Sequence, residues 1–123
     1  MSDDHVDEAP SQPLSEVKAE LFKSLGHPAR VRVLEVLAGG EHTVGEMQPL
    51  VGIESSHLSQ QLGVLRRAGV VTNRKEGSTV VYALADPLVA ELLDVAKRFL
   101  RVRLEGTREL LSDLAAETTG RSR

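Results

Sequence analysis

Residues 55–71 read SSHLSQQLGVLRRAGVV, and the fold turns on how this stretch is read. It opens on small polar residues, passes through three leucines and closes on two arginines and a glycine, without a carboxylate. Gly69 suits a helix end, and the spacing predicts a helix from about Glu54 or Ser55 to Ala68. At 100° per residue, Leu58, Leu62 and Leu65 fall within about 60° of one another and form a buried stripe. Ser56, Gln60, Gly63 and Arg67 lie opposite, with His57 and Val64 at one edge and Ser59 at the other. The outward face is small, polar and uncharged at its start and cationic at its end. Ser, Gln, His and Arg match the donors and acceptors on base edges in the major groove, whereas a carboxylate there would be repelled by phosphate.

The elements on either side extend this reading. Upstream, Thr43-x-x-Glu46 has the form of a capping box opening a short helix through Val44, Met47 and Val51, with Gly52 as the turn. Two helices joined by that turn make a helix-turn-helix pattern. Downstream, VVTNRK and STVVYAL are rich in β-formers and are separated by EG, so they predict a two-stranded hairpin. Arg74 and Lys75 sit beside its turn, with Thr79 across it, as a basic wing for flanking DNA. Farther upstream, Ser15 can cap a first helix with Val17, Leu21, Phe22 and Leu25 at helical spacing, closed by Gly26. Pro28 suits the first turn of a second helix, with Val31, Leu34, Val36 and Leu37 as its apolar side and Gly39-Gly40 as its stop. After the hairpin, Asp86-Pro87 opens a long amphipathic helix striped by Leu88, Leu92, Val95, Phe99 and Val102, extending to about Leu114, with Gly106 as a point of bending or breakage. The expected fold is mainly α with a small β-hairpin, a winged helix-turn-helix over residues 15–115. An acidic disordered arm over 1–14 and a flexible tail over 116–123 complete the expected organisation.

Composition narrows the function. The 123 residues suffice for one compact domain. There is no cysteine, which excludes disulfides, thiolate metal sites and cysteine catalysis and fits a reducing cytosol. No apolar run approaches the roughly 20 residues of a membrane span, so a cytoplasmic protein with no membrane partner is expected. The net charge of −3 is unevenly spread: residues 1–20 hold six acids and one base, while residues 55–75 hold four bases and no acid. A basic strip on an acidic chain suits a polyanion on one face. No G-x-S-x-G, P-loop or paired ligand motif points to an enzyme.

Taken in order, LFKSLGHPARVRVLEVL, TVGEM, SSHLSQQLGVLRRAGVV and EGSTVVYAL resemble the ArsR/SmtB family of bacterial winged-helix repressors over about residues 15–100, and more narrowly an actinobacterial subgroup without the usual cysteine metal sites. The resemblance implies a homodimer built through the first and last helices. Leu21 and Leu25 of the first helix, with Leu88, Leu92, Val95 and Phe99 of the last, are then the interface candidates. It implies that the fourth helix of each copy enters successive major grooves of a palindromic operator. Ser55, Ser56, His57, Ser59, Gln60 and Arg67, with Arg74, Lys75 and Thr79 of the wing, are the DNA-binding candidates. Gln61 stands where many members have histidine, and Gly63 where lysine is frequent, which either weakens a phosphate contact or allows closer approach. Independently, a last helix of about 28 residues would span about 40 Å, too long for one small domain to cover alone.

The resemblance also raises metal sensing. The family's cysteine sites are absent, and the last helix has no histidine for the usual Asp/His cluster. Only His5, His27, His42 and His57 exist; His27 reads as a cap before Pro28, and His57 as part of the DNA face. No cofactor is expected, with nickel or zinc held by histidine and carboxylate as the minor alternative. The expected function is a dimeric repressor binding double-stranded DNA. The rival readings are a winged-helix protein-interaction module and a nickel- or zinc-responsive regulator.

Overall fold

The computed structural model describes residues 2–121, with side chains for residues 13–117. The elements in chain order are α1 (Ser2–Leu25), α2 (Pro28–Ala38), β1 (His42–Thr43), α3 (Val44–Val51), α4 (Ser55–Arg67), β2 (Val71–Glu76), β3 (Thr79–Leu84) and α5 (Pro87–Arg121). The expected order of helices and wing is therefore observed, with one added strand. His42 and Thr43 pair antiparallel with Tyr82 and Val81, giving a three-stranded sheet in the order β1-β3-β2. The chain forms two units, Met1–Ala90 and Glu91–Arg123.

In the first unit, short-range chemistry sets the helix ends. His27 is the N-cap of α2, its Nδ1 accepting from the Ala29 N–H at 3.1 Å, and Pro28 occupies the first turn. Thr43 and Glu46 form the reciprocal capping box of α3: Thr43 Oγ1 accepts from Glu46 N at 3.2 Å, and Glu46 Oε1 from Thr43 N at 2.9 Å. The core draws Ala29, Val33, Leu34 and Leu37 from α2, Met47 and Val51 from α3, Leu58, Leu62 and Leu65 from α4, and Val70 and Val71 from the start of the wing. On α2 the buried row is Ala29, Val33 and Leu37, spaced i, i+4, i+8, with Leu34 beside it; Val31 and Val36 are only half-buried at its flanks. Leu34 and Leu37 of the expected apolar side are thus buried, while Ala29 and Val33 take the core places expected for Val31 and Val36, because α2 carries aliphatic residues around more than one face.

α1 begins at Ser2 rather than at Ser15, where the sequence suggests a cap. The arm expected over 1–14 and the tail expected over 116–123 fall largely on residues whose side chains lie outside those described.

The second unit is the body of α5. This helix runs unbroken through Gly106, and farther than Leu114. One glycine costs a helix about 1 kcal/mol against alanine, too little to stop it among the Leu, Arg and Glu of residues 100–117. Its stripe faces solvent: Val95 is 51% exposed, Phe99 59% and Val102 66%. No helix among the described residues is long and apolar enough to cross a membrane.

Candidate nucleic-acid interface

Two contacts hold the turn of the helix-turn-helix. Gly52 ends α3 in the left-handed conformation (φ 80°), with its N–H bonded to the Gln48 carbonyl at 2.8 Å. A side chain there would be strained, so the sharp turn into α4 depends on glycine. Arg32, from α2, donates Nε to the Val51 carbonyl at 3.1 Å and so satisfies one of the unpaired carbonyls at the end of α3. Glu54 then starts α4 with extended backbone, and no side chain caps it. The first N–H groups of α4 are left to other acceptors.

α4 splits as its period predicts. Leu58, Leu62 and Leu65 are at most 1% exposed. Ser55, Ser56, Ser59, Gln60 and Arg67 are exposed. At Gly63 a built Cβ would lie 3.4 Å from Arg67 Nη1, at the edge of ordinary contact with the end of a flexible side chain. Two residues differ from the rest of the expected face. His57 is half-buried, and its ring meets that of His27 edge to face with centroids 6.2 Å apart. Gln61 is buried, and its Oε1 accepts from Arg30 Nη1 at 3.0 Å.

Gly69 turns the chain out of α4 with φ 79°, and the Val70 N–H bonds the Leu65 carbonyl at 3.1 Å, tying the wing to the end of the helix. The hairpin register places Arg74 opposite Val81, Lys75 opposite Val80 and Glu76 opposite Thr79, with Gly77 at φ 64° in the turn. Lys75 and Thr79 are exposed. Arg74 is engaged. Its Nη1 lies 2.8 Å from Glu41 Oε2, and its Nε and Nη2 lie 2.8 and 2.7 Å from Glu76 Oε2. The hydrogen bond from Arg74 holds the Glu41 carboxyl below its ordinary range, and the two carboxylates push the arginine further toward its charged form.

Glu76 was within reach of sequence reasoning, since residues two apart on a strand share a face. Glu41, 33 positions upstream, carried no signal. The wing arginine thus arrives with two carboxylate partners where the sequence suggested an open base.

The residues present do not suit the family's usual metal sites. Among the described residues no group of three or more His, Asp or Glu stands together. His27 is spent as a cap, and His42 Nδ1 lies 2.7 Å from the Gly40 carbonyl. His5 lies outside the described side chains.

A Helix-turn-helix domain family model matches residues 25–74, from the end of α1 to the middle of β2. The chain is 52% identical over 107 residues to the uncharacterized HTH-type transcriptional regulator Rv0081 of Mycobacterium tuberculosis, covering 86% of this chain and 94% of that one. It is 46% identical over 76 residues to the biofilm growth-associated repressor of Agrobacterium fabrum, covering 62% of this chain and 65% of that one. The crystal structure of Rv0081 superposes with a TM-score of 0.72 at 54% identity, covering 76% of this chain and 95% of that chain. The solution structure of the homodimeric winged helix-turn-helix DNA-binding domain of Mb0332 from Mycobacterium bovis, "a possible ArsR-family transcriptional regulator", superposes with a TM-score of 0.73 at 28% identity, covering 78% of this chain and 89% of that chain.

Proposed function

From a chain that belongs to the ArsR/SmtB-like family of winged helix-turn-helix transcriptional regulators, we propose a homodimeric repressor that sets α4 in the major groove of a palindromic operator and lays its wing on the flanking DNA. That the chain is a DNA-binding regulator follows from its relatives and fold. The finer reading rests on one observation: Ser55, Ser56, Ser59 and Gln60 all face solvent on the helix whose leucines are sunk in the core. Such a face can hydrogen-bond base edges without moving the leucines that anchor it.

Dimerisation is supported by the exposed row of Val95, Phe99 and Val102 on α5, by exposed Val17 and Phe22 on α1, and by the homodimer of the Mycobacterium bovis neighbour. Reading two successive major grooves requires the two reading helices of such a dimer to lie about 34 Å apart, one turn of duplex. Repression, as in the Agrobacterium relative, is the regulatory sense proposed. The proposal extends to an actinobacterial subgroup, in keeping with the lack of cysteine and the mycobacterial relatives, and to a cytoplasmic location, in keeping with a DNA target.

The test is selection of bound duplexes from a randomised library, followed by substitution. Gln60→Ala should cost about 1–3 kcal/mol on the selected duplex and little on a shuffled one. Lys75→Ala should weaken both alike and flatten the salt slope by about 0.9 per wing. Should Gln60→Ala and Ser59→Ala both leave the selected duplex bound as before, α4 is not the reading helix.

A further inference from the structure

How a helix sits in a groove matters as much as what it carries, and α4 is braced from its inner edge at two points. His57 and Gln61 are four apart on α4 and share a face; His27 and Arg30 are three apart at the start of α2. His57 meets His27 ring to ring, and Gln61 Oε1 accepts from Arg30 Nη1 at 3.0 Å. Arg30 also reaches the other way. Its Nε donates to the Ser24 carbonyl at 2.6 Å, and its Nη2 to the Lys23 carbonyl at 3.4 Å. These lie in the last turn of α1, where carbonyls lack partners within the helix and the dipole is negative. One guanidinium therefore joins the end of α1 to the inner face of α4.

We infer that Arg30 and Gln61 are positioning residues for DNA readout, fixing the roll and axial seat of α4 so that Ser56, Ser59 and Gln60 meet base edges in register. The inference rests on the reading that α4 enters the major groove. Its physical basis is the kind of contact each residue makes. The leucine ridge of Leu58, Leu62 and Leu65 buries α4 but is non-directional, so it resists separation better than rotation. A roll of about 15° moves an atom about 5–6 Å from the helix axis by about 1.4 Å, more than the roughly 0.5 Å spread of good hydrogen-bond lengths. The guanidinium fork is directional, planar and always charged, and the glutamine offers it a neutral acceptor at 7% exposure. Gln61 is adjacent to Gln60, so the braced side chain and the candidate reading side chain share one stretch of backbone.

The experiment uses the full chain, a duplex selected in vitro by the unsubstituted protein, a shuffled duplex and thermal unfolding. Gln61→Met keeps the volume and removes the acceptor; Gln61→Glu keeps the acceptor. Gln61→Met should lose about tenfold on the selected duplex, equivalent to 1.4 kcal/mol, with little loss on the shuffled one. Gln61→Glu should recover most of that loss. Arg30→Lys, which keeps the charge and loses the fork, should mimic Gln61→Met and serves if the methionine variant does not fold. Full affinity of Gln61→Met or Arg30→Lys for the selected duplex, or an equal loss on both duplexes, overturns the inference. If Gln60→Ala and Ser59→Ala also leave selected binding intact, the failure lies in the α4 reading and not in the brace alone.

Discussion

Replacing Glu41 with Gln isolates the largest electrostatic feature of the wing. Arg74 now divides its N–H groups between Glu41 and Glu76, at 2.7–2.8 Å. Glu41→Gln removes the carboxylate on Nη1 and leaves Glu76 holding Nε and Nη2, so the freed edge of the fork is offered to a phosphate. Each added phosphate contact steepens the plot of log affinity against log salt by about 0.9, or about 1.8 for the two wings of a dimer. Over the fourfold change from about 200 to about 50 mM salt, that is about 12-fold of extra gain over the unsubstituted protein. Fluorescence anisotropy with a labelled selected duplex, titrated at several salt concentrations, reads both slope and affinity. Removing an acid also lowers general repulsion, so the same substitution is made on Arg74→Ala, where the gain through the fork should vanish. If Glu41→Gln leaves the slope unchanged, or steepens it equally without Arg74, the wing arginine is not a latent phosphate contact.

The same pair carries a pH dependence. Glu41 is held below its ordinary value of 4.5, so its bond to Arg74 is fully present above pH 4.5 and is lost as pH falls through the lowered value; carboxyl NMR shifts of Glu41 should report this, and Arg74→Ala should return its titration to the ordinary range. Leu58→Ala should destabilise the chain by about 2–5 kcal/mol in urea unfolding, because the side chain is fully enclosed and a cavity remains. Thr43→Ala removes an acceptor that caps α3 and should cost about 1 kcal/mol by the same measurement. Phe99→Glu places a charge in the exposed α5 row and should separate the two copies in sedimentation while lowering affinity for the palindrome; a monomer that binds with full affinity would refute the interface.

Much of this protein could be read from local pattern, because the devices concerned act within one or two helical turns. The split of α4 into buried leucines and exposed Ser and Gln follows from a 3.6-residue period. The Thr43–Glu46 box joins residues three apart and the His27 cap residues two apart, so the type of each side chain and its spacing were enough. The hairpin was legible through its β-branched runs and turn glycine, whereas the third strand showed only as a short strand or turn beginning at His42, since two residues have no period. What only the tertiary structure decided are the partners across the fold. Arg74 is paired with Glu41, 33 positions away; Arg30 bonds Gln61, 31 positions away; and His57, assigned by its sequence to the DNA face, turns its ring against His27. Periodicity reveals which side of an element is wet or dry. Which charge or amide on a neighbouring element meets a given side chain depends on how the elements are offset when they pack, and that offset is set by the whole core at once.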